Sequence, residues 1–430
     1  MAKNLGMTPA TVAEQARSMR SHMAVFDSII ADIAHAGEAS RWPGPFGLLP
    51  GNKIMTEGSI LLAENAASDV QLAVDAAAEL LERLQVNLGE QMEASAAGDG
   101  YHDGTMSKKS ADDLYLRAMN DPTALEGMTP AQVNAWWNRL SKQQQDDFVA
   151  RNPQVAGNTN GIPFANRIEA NRLNAEQLLS SGTKLSKNQR EYLEKVAAGD
   201  KSLISFDPKN DRIIEMIGDL GPNTTNIVNY VPGTGTTMDS IYGEGPQGMA
   251  HAIVDGAIPP GSTVAFVYKD APFPGWGPND GVYHSSSAAR AGGPYHDFNS
   301  ALALENSNGA SVTSVEHSFG SSVGGYAETQ GTHFDKRVVL AGIGMTDDWK
   351  PSSGTSYYSY TGDHDIIRAA RGKGSEDTNT GYEIPPTSEN GFIELDPDIH
   401  DLSPIDQHTH VASPDNNQVV VDGILEIIRQ

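Results

Sequence analysis

The sequence predicts an α/β protein: a mostly parallel sheet preceded by an all-α N-terminal region with a long helical hairpin. Three observations carry this. Apolar residues recur at helical 3–4 spacing through roughly the first 100 residues. From about residue 201, short β-branched runs alternate with helix-length segments. Between these regimes, residues 94–105 form a Gly/Ser/Asp-rich break (Ala-Ser-Ala-Ala-Gly-Asp-Gly-Tyr-His-Asp-Gly-Thr), which marks a boundary. The expected domains are a hairpin over 1–105, a helical linker over 106–200 packing on the sheet, and the sheet domain over 201–430.

The first helix runs through residues 8–40, where Val12, Ala16, Met19, Met23, Phe26, Ile29, Ile30 and Ile33 share a face. It stops at Arg41-Trp42-Pro43-Gly44-Pro45, because proline lacks the amide and disfavours a helical residue before it. Helical spacing resumes from about Glu57 to Ala97 with Leu61, Leu62, Val70, Leu80, Leu81, Leu84 and Leu88, which completes the hairpin. Further on, Thr129-Pro130 caps a helix over Ala131–Leu140 and Ser141 caps Lys142–Ala150. A Pro/Gly/Asn-rich loop is expected over 152–163, then a helix over Phe164–Leu179. The strands follow at Leu203–Phe206, Arg212–Ile217, Thr225–Val231, Thr263–Tyr268, Ser311–Glu316, Arg337–Ala341 and Ser356–Tyr360, with a last helix at Val419–Ile428. The first two strands, joined by Asp207-Pro-Lys-Asn-Asp211, form an antiparallel hairpin leading into the parallel sheet.

Composition narrows the function. Among 430 residues, 30 Lys+Arg stand against 55 Asp+Glu, a formal net charge of −25. Such a balance repels phosphate backbones and anionic headgroups, so nucleic-acid binding is not expected. With no cysteine there is neither a thiolate metal site nor a cysteine nucleophile. No apolar run approaches the ~20 residues of a membrane helix, so no transmembrane span is expected. The N-terminus lacks a basic segment followed by an apolar core, which leaves the cytoplasm, or export without a cleavable signal, as the expected location.

The strongest chemical signal is Ser311-Val-Thr-Ser-Val-Glu316-His317-Ser318-Phe319-Gly320. A β run, a sharp turn at a serine and a helix start rich in small residues are the parts of a nucleophile elbow. Small residues two positions either side of the nucleophile let strand and helix approach closely. Gly320 supplies one, whereas Glu316 stands where glycine is usual. Upstream, Val231-Pro-Gly233-Thr234-Gly235 follows a strand and suits an oxyanion loop, so amides at Thr234 or Gly235, together with Phe319, are the expected donors to a tetrahedral intermediate. Tyr360-Thr-Gly362-Asp363-His364-Asp365 leaves a strand where an orienting carboxylate belongs; Asp365 is preferred and Asp363 is the alternate. Asp406-Gln-His408-Thr-His410 precedes the last helix and offers the general base, His410 preferred and His408 the alternate. Nucleophile, acid and base then follow in the order Ser, Asp, His.

The segments Trp136-Trp137-x-x-Leu140, Gly157-Asn158-x-x-Gly161-Ile-Pro163, Arg167…Ala170-Asn171-Arg172, Phe206-Asp207-Pro208, Val231-Pro-Gly-Thr-Gly235, Tyr268-Lys-Asp-Ala-Pro272 and His317-Ser-Phe-Gly320 together resemble an actinobacterial alpha/beta-hydrolase family of largely uncharacterised substrate, over roughly residues 125–430. That resemblance implies a serine hydrolase with a helical N-terminal extension. No cofactor is expected. The hairpin around Trp42-Pro-Gly44 resembles the small Trp-x-Gly family of type VII secretion, although none of the 13 tyrosines is followed four residues later by the acid of that family's export signal. The expected activity is cleavage of a carboxylic ester, esterase- or lipase-like. Pro272, Phe273, Pro274, Trp276, Tyr283, Tyr295 and Phe298 form a partly apolar lid or pocket wall for a small-molecule or lipid-like ester.

Two rival readings remain at this stage. The hairpin could bind a helical partner protein, with the hydrolase-like domain a catalytically weak or inactive scaffold. The pairs Asp363/Asp365 and His408/His410 could also supply metal ligands, though they already serve the triad, so no metal is expected. Trp136 and Trp137 are expected to pack the helical region onto the sheet.

Overall fold

A computed structural model describes residues 106–275, 285–371 and 382–430; the hairpin expected over 1–105 lies outside them. Two compact units divide the chain. The described part of the smaller comprises residues 106–114 and 123–128, and it includes the start of helix α1 (Lys108–Ala118). The larger unit takes residues 115–122 and 129–430, so the helices after residue 129 and the sheet belong to one body.

The larger unit opens with helices α2 (Pro130–Trp137), α3 (Lys142–Arg151), α4 (Pro153–Asn158), α5 (Phe164–Ser180) and α6 (Lys187–Ala198). Capping boxes start α2, α3 and α6: Thr129, Ser141 and Ser186 each accept the amide three residues on, and the glutamine there returns the bond. Helix α4 replaces part of the expected loop, because Pro153 at the first helical position starts a helix as readily as an internal proline breaks one. Trp136 and Trp137 meet Phe148 at 5.5 and 6.1 Å between ring centroids. They thus pack helix on helix in their own layer, and not in the main core around the sheet.

Eight strands follow in one sheet: β1 (Ser202–Asp207), β2 (Arg212–Ile217), β3 (Asn226–Val231), β4 (Thr263–Lys269), β5 (Ser311–His317), β6 (Lys336–Leu340), β7 (Ser356–Tyr360) and β8 (Ile393–Leu395). Their order is β1-β2-β4-β3-β5-β6-β7-β8. Only β2 runs antiparallel to its neighbours, β1 and β4; every other pair is parallel. This is the alpha/beta-hydrolase sheet expected from the sequence. Strands β4 and β6 are buried along their whole length, which requires cover on both faces and explains their continuous apolar runs. Interleaved helices supply it: α7 (Met238–Tyr242), α8 (Gln247–Asp255), α9 (Ser285–Glu305), α10 (Gly320–Thr329), α11 (Ile367–Ala370), α12 (Pro404–His410) and α13 (Gln418–Arg429). Helix α8 packs on β4 and on α13, whereas α9 packs along α10.

The expected lid changes here. Tyr295 and Phe298 lie on α9 and are fully buried in the main core, so they line no lid. Of the other aromatic residues of that segment, Phe273 is half-buried, and Trp276 and Tyr283 lie outside the described residues. Among the described residues no helix is long and apolar enough to cross a membrane.

Candidate active site

Ser318 stands between the end of β5 and the start of α10, with φ at 53°. Left-handed backbone is rare for a residue with a Cβ and marks stored strain. Here both backbone groups are tied to the exit of β6: the Ser318 amide donates to Leu340 O at 3.0 Å and its carbonyl accepts from Ile343 N at 3.1 Å. Glycine opens the space around the turn. A Cβ on Gly320 would collide with the Val231 carbonyl, and one on Gly233 would come within 2.9 Å of Ser318 Cβ.

Ser318 Oγ lies 3.0 Å from His408 Nε2, and His408 Nδ1 lies 2.9 Å from Asp365 Oδ1. All three side chains are buried. A carboxylate oxygen only accepts, so Nδ1 carries the proton and Nε2 presents its lone pair to the serine hydroxyl. Asp365 Oδ1 also accepts the Ile367 amide at 2.8 Å, while Oδ2 is buried without a hydrogen-bond partner.

The preferred base, His410, is not the residue brought to Ser318. Helix α12 includes both histidines, and at about 100° per residue two positions turn a side chain most of the way to the other side. Only one of them can face the serine, and it is His408. The alternate acid is also displaced: Asp363 is exposed and pairs with His400 Nδ1 at 2.9 Å. Because Asp363 turns to His400 and Asp365 to His408, the residues considered as metal ligands do not converge. Among the described residues no three His, Asp or Glu side chains gather as a metal site.

Of the expected oxyanion donors, Gly235 is already committed, its amide donating to Pro274 O at 2.8 Å. The Thr234 and Phe319 amides enter none of the described backbone bonds. Phe319 lies just ahead of α10, whose N-terminus carries a partial positive charge. Its ring meets Phe273 at 5.4 Å and Tyr382 at 6.4 Å; Phe319 and Tyr382 are fully buried in the main core, and the half-buried Phe273 packs against it.

Glu316, the departure from glycine, is fully buried beside α10, where Gly324 leaves room: a Cβ at Gly324 would fall on the carboxylate. Arg337 holds it with Nε to Oε1 at 2.9 Å and Nη2 to Oε2 at 2.5 Å, and Ser314 Oγ donates to Oε1 at 2.7 Å. Arg337 also reaches Glu328 on α10 at 2.6 Å and the Ser321 carbonyl at 3.0 Å. Burial works against the Arg337 charge, but the two carboxylates outweigh it and hold the guanidinium well above its ordinary value. Burial likewise raises the Glu316 carboxyl, against the pull of Arg337.

Three supporting residues have no role in the sequence reading. Arg337 could have been found as a cation inside a buried strand, since β5 and β6 pair Ser314 with Arg337 and leave Glu316 on its diagonal. Gln407 joins the acid and base loops: its Oε1 accepts the His364 amide at 2.9 Å and its Nε2 donates to Leu402 O at 3.1 Å. His317, beside Ser318, donates from Nε2 to the His408 carbonyl at 3.0 Å.

No protein-family model matches the sequence, and no curated protein does. Solved structures do resemble it at low identity. TT1662 from Thermus thermophilus is 13% identical, with a TM-score of 0.31, over 51% of this chain and 94% of its own. The Francisella virulence factor BioJ is 12% identical, with a TM-score of 0.34, over 60% of this chain and 98% of its own. A hyperthermophilic esterase from the archaeon Pyrobaculum calidifontis is 12% identical, with a TM-score of 0.29, over 60% of this chain and 95% of its own.

Proposed function

We propose that this chain is a serine hydrolase that cleaves carboxylic esters through an acyl-enzyme. The observation that carries the reading is the buried relay Ser318 Oγ, His408, Asp365, built on a serine in left-handed conformation. Ser318 Oγ attacks the ester carbonyl and passes its proton to His408 Nε2. Asp365 holds the imidazole in the correct tautomer and stabilises it once it is charged. Amides at Phe319 and Thr234 receive the negative charge that builds on the carbonyl oxygen. His408 then protonates the departing alcohol, and a water molecule activated by the same imidazole releases the acid and restores Ser318. Phe273, half-buried against the Phe319 ring next to Ser318, favours an ester with an apolar portion.

Labelling with a fluorophosphonate probe, followed by mass-spectrometric mapping, tests the assignment. Ser318 is expected to be the modified residue, and Ser318→Ala to abolish the adduct. His408→Ala should slow labelling about 10³-fold or more, whereas His410→Ala should stay within about two-fold, since general-base assistance is worth that range. Equal losses at the two histidines, or an adduct elsewhere, would refute it.

A further inference from the structure

We propose that His317 is a positioning residue: its side chain caps the helix that carries His408 and so fixes the base against Ser318. The proposal rests on the triad reading above and goes beyond it.

The last carbonyls of a helix have no intrahelical donor. In α12 most find one just beyond the helix end. Gln407 O accepts from Val411 N, Thr409 O from Ala412 N and His410 O from Ser413 N. The described backbone bonds provide none for His408 O, and His317 Nε2 fills that place at 3.0 Å. A carbonyl only accepts, so Nε2 carries the proton. The two imidazoles also touch in a tilted arrangement, with centroids 5.0 Å apart and planes at 40°.

Consecutive residues at the end of β5 therefore grip one residue 90 and 91 positions away in sequence: Ser318 bonds the His408 ring and His317 bonds its backbone. Asp365 and Ser318 orient the ring from its two nitrogens, and the bond to His408 O fixes the main chain from which that ring projects; sub-ångström placement of a reacting group is worth large factors in rate. Burial, and next the His408 imidazole, push His317 down to about 4, so it remains a neutral donor through the neutral range.

Two variants separate this role from simple packing. His317→Phe keeps the ring and loses the donor, while His317→Gln places an amide N–H near the position of Nε2. Two readouts apply: the second-order rate of fluorophosphonate labelling at Ser318, and the downfield proton resonance of His408 Nδ1 in its bond to Asp365. His317→Phe is expected to slow labelling about 10- to 100-fold and to shift or broaden that resonance, with His317→Gln recovering most of both. Wild-type labelling in His317→Phe overturns the proposal, and so does a loss in His317→Gln as deep as in His317→Phe, which would mark the ring as mere filling. Should Phe not fold, His317→Met supplies length without a donor. If wild-type Ser318 does not label, the hydrolase reading fails. The resonance then decides alone: unchanged in the donor-free variant, it refutes positioning.

Discussion

Glu316 and Gly324 show how one residue can license another. An elbow that carries a carboxylate two residues before the nucleophile needs an opposite charge and an opening in the following helix, and Arg337 and Gly324 provide them. A lone buried carboxylate would cost several kcal/mol, so the arrangement is a unit. Gly324→Ala is expected to destabilise the protein by about 3 kcal/mol or more, because the new methyl displaces Glu316 from Arg337. In a Glu316→Gly background the same alanine should cost much less. The double-mutant cycle by urea denaturation should return a coupling of at least about 1 kcal/mol, and simple additivity would show that the carboxylate can move aside.

At the scale of elements, the helices before the sheet finish its edge. Strand β1 is the first of the sheet order and would expose unpaired backbone. Asn158, at the end of α4, acts as a short substitute strand: its Oδ1 accepts the Phe206 amide at 2.8 Å and its Nδ2 donates to Phe206 O at 3.1 Å. Asn171 adds a bond to Leu203 O at 3.0 Å. Asn158→Ala is expected to lower stability by about 1–3 kcal/mol through the orphaned backbone groups, read as a drop in the denaturation midpoint, and a midpoint unchanged within error would mean that water replaces the side chain.

These elements also show what the sequence made legible. The strands β1 to β7 and the caps at Thr129 and Ser141 follow from periodicity and local hydrogen bonding, which act within a few residues. The places of Ser318 at a strand-to-helix turn and of Asp365 beyond β7 were readable because a turn type and a strand exit confine them. The choice between His408 and His410 was not, because it depends on where α12 begins and which way that helix turns. Nor was α9, which runs from Ser285 to Glu305 through Gly292, Gly293 and Pro294 where a lid or pocket wall was expected. Packing against α10 overrides that weak local propensity.

For the whole molecule, the charge of −25 makes acidification consequential, and His317 gives one part of the response a definite sign. Its folded value lies near 4 against an ordinary 6.5. Above pH 6.5 both states are neutral and its stabilising contribution is complete. As pH falls towards 4 the unfolded chain takes up the proton first, so stability declines, by about 2 kcal/mol once the partly exposed ring is allowed for. The stability gap between wild type and His317→Phe, measured by urea denaturation, should therefore narrow between pH 7 and pH 4.5. A constant gap would mean that the imidazole titrates normally in the folded protein.

The placement of Ser318, Asp365 and His408 has a kinetic consequence. Ser318 and Asp365 follow strands separated by β6, and His408 comes from beyond β8. Contacts between residues so distant in the chain close late in folding. On the proposed triad, labelling of Ser318 is therefore a clock for assembly: in a refolding chain, tryptophan fluorescence should recover before Ser318 labels, and the interval between the two signals measures how long the last third of the polypeptide takes to find the rest.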